Sequence, residues 1–156
     1  MRDPCIADFL RPEAVIADLA GRHKEAVLAE LCRGLSAEAD LLHPLQALLE
    51  REKLGSTGIG NGVAIPHARV AGLQQIVMSF GYSKAGVDFE AIDGKPVHFF
   101  FAVLTPEASA GGAHIKLLAR ISLLFSQPTF REAVLQAPDA SAIYRVIIAA
   151  DENQGA

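Results

Sequence analysis

The amino-acid sequence predicts a single-domain α/β fold in which a mixed β-sheet carries helices on both faces. Three observations lead there. The chain has 156 residues, 51% of them apolar, which suits one domain with one sizeable core. Its middle holds β-rich runs, and the last of these, VHFFFAVL from Val97 to Leu104, is apolar on both faces, as a central strand covered on both sides would be. Helical periodicity occupies both ends of the sequence.

The elements follow in order. Ala14 to Ala17 predicts a short strand. From Arg22 to about Ala39, Val27, Leu28, Leu31 and Leu35 recur at helical spacing, which predicts one amphipathic helix. His43-Pro44 ends it, because a residue before proline avoids helical angles. Leu45, Leu48 and Leu49 then support a second helix to about Lys53. Residues 54–68, LGSTGIGNGVAIPHA, carry four glycines and no charged residue, and predict a loop running into a short extended segment. Ile76 to Tyr82, Val87 to Phe89 and Val97 to Leu104 predict three strands separated by Gly and Asp-Gly turns. After a flexible stretch, ASAGGA at 108–113, Ile115, Leu118, Ile121, Leu124 and Phe125 predict a third helix beginning near His114. Thr129 to Gln136 and Ser141 to Ala149 predict two more, the first capped near Gln127 to Thr129 and the second by Asp139 or Ser141. The domain is expected to span 1–150, with the polar residues 151–156 as a flexible tail.

Charge and composition exclude several functions. Fourteen basic against eighteen acidic residues give −4, the wrong sign for a phosphate-backbone binder, so no nucleic-acid partner is expected. The longest strongly apolar run, Phe99 to Leu104, is far below the ~20 residues of a membrane-spanning helix. The opening residues, MRDPCIADFL, lack the apolar segment of a secretion signal, which predicts a cytoplasmic address and no membrane insertion. Cys5 and Cys32 form neither a C-x-x-C nor part of a Cys/His cluster; ordinary thiols are expected, with no disulfide and no metal site.

Chemistry concentrates in the glycine loop. A Walker loop needs Lys and Ser/Thr after its last glycine, but Asn61-Gly62 follows Gly60. A dinucleotide fingerprint starting at Gly58 needs glycine at 63, where Val63 stands. What remains is a loop whose backbone N–H groups, with the Ser56 and Thr57 hydroxyls, can cradle an anion, ending in Ile65-Pro66-His67. Neutral imidazole, with an ordinary pKa of ~6.5, is a nucleophile. Two readings therefore stand: His67 accepts a phosphoryl group, or the glycines simply make a turn that His67 caps.

The stretch REKLGSTGIGNGVAIPHA, residues 51–68, resembles the signature of the type-2 IIA proteins of the bacterial phosphotransferase system. Its GSTGIGNG-x-A-I-P-H form is most similar to the nitrogen-regulatory branch. The resemblance extends through AIDGKPVHFFFAVLTP and the HIKLLARIS helix start.

That resemblance implies a phosphoryl carrier and the mannitol/fructose-type IIA fold. It implies that His67 is the acceptor, through Nε2, from a small phosphohistidine carrier protein of the HPr or NPr kind. His114 would donate a hydrogen bond to the phosphoryl oxygens, and Arg51 would hold two of them with its guanidinium. Ser56 and Thr57 are candidates to complete the cradle. No metal or organic cofactor is implied. Nδ1 of His67 needs an acceptor to fix the tautomer. Each residue also has a plainer role: Arg51 as a helix-end cation, His114 as a helix cap, Ser56 and Thr57 as turn formers. His23, His43 and His98 are expected to be structural; Val63 and Ile65 are expected in the core, and Ile59 at the loop tip is expected to dock a partner.

Downstream of His67 the resemblance leaves two destinations. The phosphorylation state regulates target proteins, as in the nitrogen branch, or the group passes to a IIB domain for uptake of a fructose- or mannitol-class sugar. A binding module that keeps the fold without phosphotransfer is a third possibility, against which the presence of His67, Arg51 and His114 argues.

Overall fold

The computed structural model describes residues 3–107 and 112–154. Six strands form one mixed sheet: β1 (Val15–Ile16), β2 (Gly58–Gly60), β3 (Val63–Ala64), β4 (His67–Val70), β5 (Val77–Val87) and β6 (Val97–Pro106). β6 is the central strand. It pairs antiparallel with β5 on one side and parallel with β3 and β4 on the other, end to end along its length. β1 lies parallel on the far side of β5, and β2 pairs antiparallel with β3.

Both faces of β6 are covered, as its unbroken apolar run predicts. Phe99, Phe101 and Val103 face a core built with Leu117, Ile121, Leu124, Phe125, Phe130, Ile143 and Ile147 from α4 (Ala113–Phe125), α5 (Pro128–Gln136) and α6 (Ala140–Gln154). Phe100, Ala102 and Leu104 face a second core with Val27, Leu28, Leu31 and Leu48 from α1 (Lys24–Arg33) and α3 (Pro44–Lys53). Phe125 gathers the rings of the first core, with centroids 5.9, 5.8, 6.1 and 4.8 Å from those of Phe80, Phe99, Phe101 and Phe130. Burial of each such ring is worth ~1.5–3 kcal/mol.

Four departures from the sequence reading have local causes. The helix expected over 22–39 ends at Arg33, and a separate short helix, α2 (Ala37–Asp40), follows. Gly34 packs so closely on Ala14 that a Cβ would meet its Cα at 3.0 Å, and the Ser36 hydroxyl accepts the Ala39 N–H at 3.3 Å, starting a new helix. The strand expected at Val87 to Phe89 is not separate: a bulge between Tyr82 and Val87, with Gly86 at φ +84°, carries β5 on to pair with Val97. The expected loop at 54–68 contains β2 and β3, and His67 itself begins β4.

The fourth departure is the tail. α6 continues through Gln154, and Asp151 is fully buried. Arg120 donates from Nε to Asp151 Oδ1 at 2.5 Å and from Nη2 to the Asp151 carbonyl at 2.7 Å, while the Ala7 N–H reaches Oδ2 at 3.1 Å. The first residue of the stretch read as a flexible tail is thus an anchor; residues 155–156 lie outside the described residues. The 108–113 stretch read as flexible lies mostly outside them too, except that Gly112, at φ +68°, is the N-cap of α4.

The local roles expected of the histidines and of the α6 cap hold. His43 takes a left-handed φ of +57° before Pro44, which opens α3. Asp139 caps α6, its carboxylate accepting the Ala142 N–H at 2.8 Å. His23 caps α1 through Nδ1, and His98 Nδ1 lies 2.7 Å from the Ser83 carbonyl in the sheet. Neither cysteine is in a disulfide; Cys5 donates to Asp8 at 3.2 Å, and Cys32 is buried. Among the described residues, no helix is long and apolar enough to cross a membrane.

Candidate functional site

The path from Arg51 to His67 is held by a buried carboxylate. Glu52, at the end of α3, accepts the backbone N–H of Thr57 at 3.2 Å and the Thr57 hydroxyl, and pairs with Lys24 Nζ at 3.3 Å. Lys24 also sits over the Phe89 ring, 4.6 Å from its centroid. Ser56 donates to the Phe89 carbonyl at 2.5 Å and accepts the Gly58 N–H at 3.1 Å. Gly58 must be glycine, because a Cβ there would lie 2.8 Å from Ala91. The loop is thereby pinned to the 89–91 segment, and β2 and β3 lead the chain back towards β6.

Pro66, between β3 and β4, interrupts the pairing with β6 because it has no N–H to give, yet its carbonyl accepts from Val103 at 2.9 Å. His67 follows at once, in register with Val103. Its Nδ1 lies 2.7 Å from the Ile65 carbonyl. A carbonyl only accepts, so Nδ1 carries the proton and Nε2 keeps its lone pair. This is the orienting partner that the sequence could not name. Burial holds the imidazole pKa below its ordinary 6.5. Arg51 and His114 act in the same direction, against the Ile65 carbonyl and Glu52, which favour the cation. His67 is therefore the neutral, nucleophilic form at pH 7.

A cavity of about 420 Å³ opens over His67, lined by Arg51, Arg69 and His114 with a largely apolar remainder that includes Val103, Ile115 and Leu118. Arg51 reaches it from the last turn of α3, where Nη1 also donates to the Gly55 carbonyl at 2.9 Å. It is both a helix-end residue and a wall of the cavity. His114 arrives in the first turn of α4 and lines the cavity; its Nδ1 is buried without a partner among the described residues.

The three residues expected to act together thus meet in one place, and the two cradle candidates do not join them. Neither Ser56 nor Thr57 lines this cavity; their hydroxyls are committed to the Phe89 carbonyl and to Glu52. Two participants were missed. Glu52, whose burial beside Arg51 has no signature in a helix-end charge cluster, holds the loop. Arg69 follows from strand periodicity once His67 is known to begin β4, since residues two apart share a face. Val63 and Ile65 are core, whereas Ile59 is 43% exposed. Among the described residues, no group of three or more His, Cys, Asp or Glu side chains is arranged to hold a metal.

Comparison with known proteins gives the family and the fold. A family model described as "Phosphoenolpyruvate-dependent sugar phosphotransferase system, EIIA 2" matches residues 8–150. A nitrogen regulatory protein of Pseudomonas aeruginosa is 35% identical over 152 residues, 96% of this chain and 98% of the relative. A fructose-specific EIIABC component of Bacillus subtilis is 36% identical over 91% of this chain, a match spanning 23% of that longer protein. The crystal structure of nitrogen regulatory protein IIA-Ntr from Neisseria meningitidis superposes with a TM-score of 0.82 at 35% identity, covering 91% of this chain and 98% of that one.

Proposed function

Because the chain belongs to the EIIA 2 family of the phosphoenolpyruvate-dependent sugar phosphotransferase system, we propose that His67 is its phosphoryl acceptor and that a small phosphohistidine carrier protein of the HPr or NPr kind is the donor. The observation that carries this reading is the convergence of Arg51, His67 and His114 on one cavity, with the His67 tautomer held by the Ile65 carbonyl.

The chemistry follows from the donor. As a bond forms from the His67 Nε2 lone pair to phosphorus, the P–N bond to the carrier's histidine breaks and leaves its electron pair on that nitrogen. In each ring the nitrogen that is not phosphorylated keeps its proton, so no general base is required. The site's work is in-line positioning and charge stabilisation. The Ile65 carbonyl keeps hold of Nδ1–H as the phosphorylated ring gains positive character. Arg51 offers a planar fork to the phosphoryl oxygens, and His114 offers a hydrogen bond from the start of α4. Exposed Ile59 offers an apolar contact for the carrier.

The nitrogen-regulatory relatives, matched over nearly all of their length, favour a regulatory protein whose phosphorylation state alters its binding to targets. The match to a fructose-specific component supports the second reading, transfer onward to a IIB domain for sugar uptake. Incubation with phosphoenolpyruvate, enzyme I and carrier should add one acid-labile phosphoryl group to the wild-type chain and none to His67→Ala; an unshifted wild-type mass would overturn the carrier reading. Rapid loss of the group to a IIB protein, with restored sugar transport in a IIA-deleted strain, would overturn the regulatory one.

A further inference from the structure

Arg69 belongs to none of the roles assigned above, yet it lines the His67 cavity. It stands two residues beyond His67 on β4 and pairs in register with Thr105, as His67 pairs with Val103. The two side chains therefore rise from the same face of the sheet, towards the start of α4. Arg69 is exposed and its side chain makes no hydrogen bond or ion pair among the described residues, whereas the Arg51 guanidinium already gives one N–H to the Gly55 carbonyl.

Charge counting gives this placement a use. A phosphoryl group on nitrogen brings about two negative charges at pH 7 into a cavity whose remaining walls are largely apolar. The positive character of the phosphorylated ring and Arg51 offset this charge, but the Arg51 guanidinium already gives one N–H to the Gly55 carbonyl, and phosphoryl oxygens left without donors in such surroundings are costly. Resting on the phosphoryl-carrier reading, we propose that Arg69 is a second catalytic guanidinium, which binds the phosphoryl oxygens on the solvent side of His67 and stabilises both the transferring group and the phosphohistidine. Arg51 grips from the end of α3 and Arg69 from β4, so the group is held between two elements. The P–N bond that breaks and the one that forms are those already given; Arg69 adds N–H donors and charge without exchanging a proton. Because it is at the open rim, it meets the incoming group before His67 does.

The test is single-turnover transfer from phosphorylated carrier to the wild-type chain, Arg69→Ala and Arg69→Lys, at saturating carrier. Loss of one charge-assisted contact predicts a rate about 10- to 100-fold lower in Arg69→Ala, partly restored in Arg69→Lys, which keeps the charge but loses the fork. Hydrolysis of the isolated phosphorylated chain should be faster in Arg69→Ala. Binding of unphosphorylated carrier should be unchanged, because the proposal puts Arg69 on the phosphoryl group. Equal transfer rates and equal hydrolysis would overturn it, as would weaker binding of unphosphorylated carrier with an unchanged saturated rate, which would make Arg69 a docking residue. If the wild-type chain itself takes no phosphoryl group, the carrier reading fails first.

Discussion

A histidine whose Nδ1–H is tied to the Ile65 carbonyl at 2.7 Å can offer only Nε2 to an electrophile, and burial among Arg51, Val103 and His114 keeps that nitrogen unprotonated. This has a consequence for pH. Since the folded-state pKa lies below 6.5, the initial rate of phosphoryl acceptance should stay level as pH is lowered through 6.5 and fall only nearer the folded-state value. Stability should behave differently. The unfolded chain accepts a proton at ~6.5 that the folded chain refuses, so the contribution of His67 is intact above 6.5 and shrinks as pH falls below it. A pH series of rates, with the ring resonances of His67 followed alongside, checks both; a rate that halves at pH 6.5 would contradict the lowering of the pKa by burial. At this scale His67 was legible from its place after the glycine loop, and His114 and Arg51 from the family resemblance that REKLGSTGIGNGVAIPHA and HIKLLARIS carry. Arg69 was not, because residues 54–68 read as loop and the β4 period was invisible.

Elements bring these residues together, and their ends matter more than their middles. Arg51 sits in the last turn of α3 and His114 in the first turn of α4, on opposite faces of the sheet, with His67 at the start of the strand between them. The position of α4 depends on its far half. Arg120 is held by Asp151 of α6, which also accepts from the Ala7 N–H, so one carboxylate joins α4, α6 and the N-terminal segment. Removing it leaves a largely buried guanidinium without its partner. Asp151→Ala should cost about 3 kcal/mol, roughly 6–12 °C in Tm for a domain of this size. Thermal unfolding checks this, and an unchanged Tm would return Asp151 to the solvated tail that its polar neighbours suggest. The sequence misjudged this region for a physical reason: a polar run at the end of a chain looks solvated, and the partner that buries Asp151 lies 31 residues away. Helix α1 was overextended for a similar reason. Periodicity continues through Leu35, but contact with Ala14 and the Ser36 cap are tertiary and local facts that apolar spacing does not encode.

Over the whole molecule, the sheet is the floor on which both layers rest, and β6 was readable in advance because a strand buried on both faces has no polar alternation to obscure it. The site lies where β4 meets β6 and where the ends of α3 and α4 approach from the two layers. One domain is enough for such a relay, since the donor carries the group already bonded to histidine and no nucleotide has to be bound. What was least legible was the wiring beneath the site, in which Glu52 ties Thr57 and Lys24 and so fixes the loop between Arg51 and His67. A glutamate in a helix-end charge cluster gives no sign of being buried. The central claim is that this framework presents a single nitrogen of a single histidine. NMR of the chain phosphorylated by its carrier, with ring ¹⁵N–³¹P couplings resolved, tests it most directly. The account predicts phosphorus on Nε2 of His67, with Nδ1 still protonated; phosphorus on Nδ1 of His67, or on any other histidine, would contradict it.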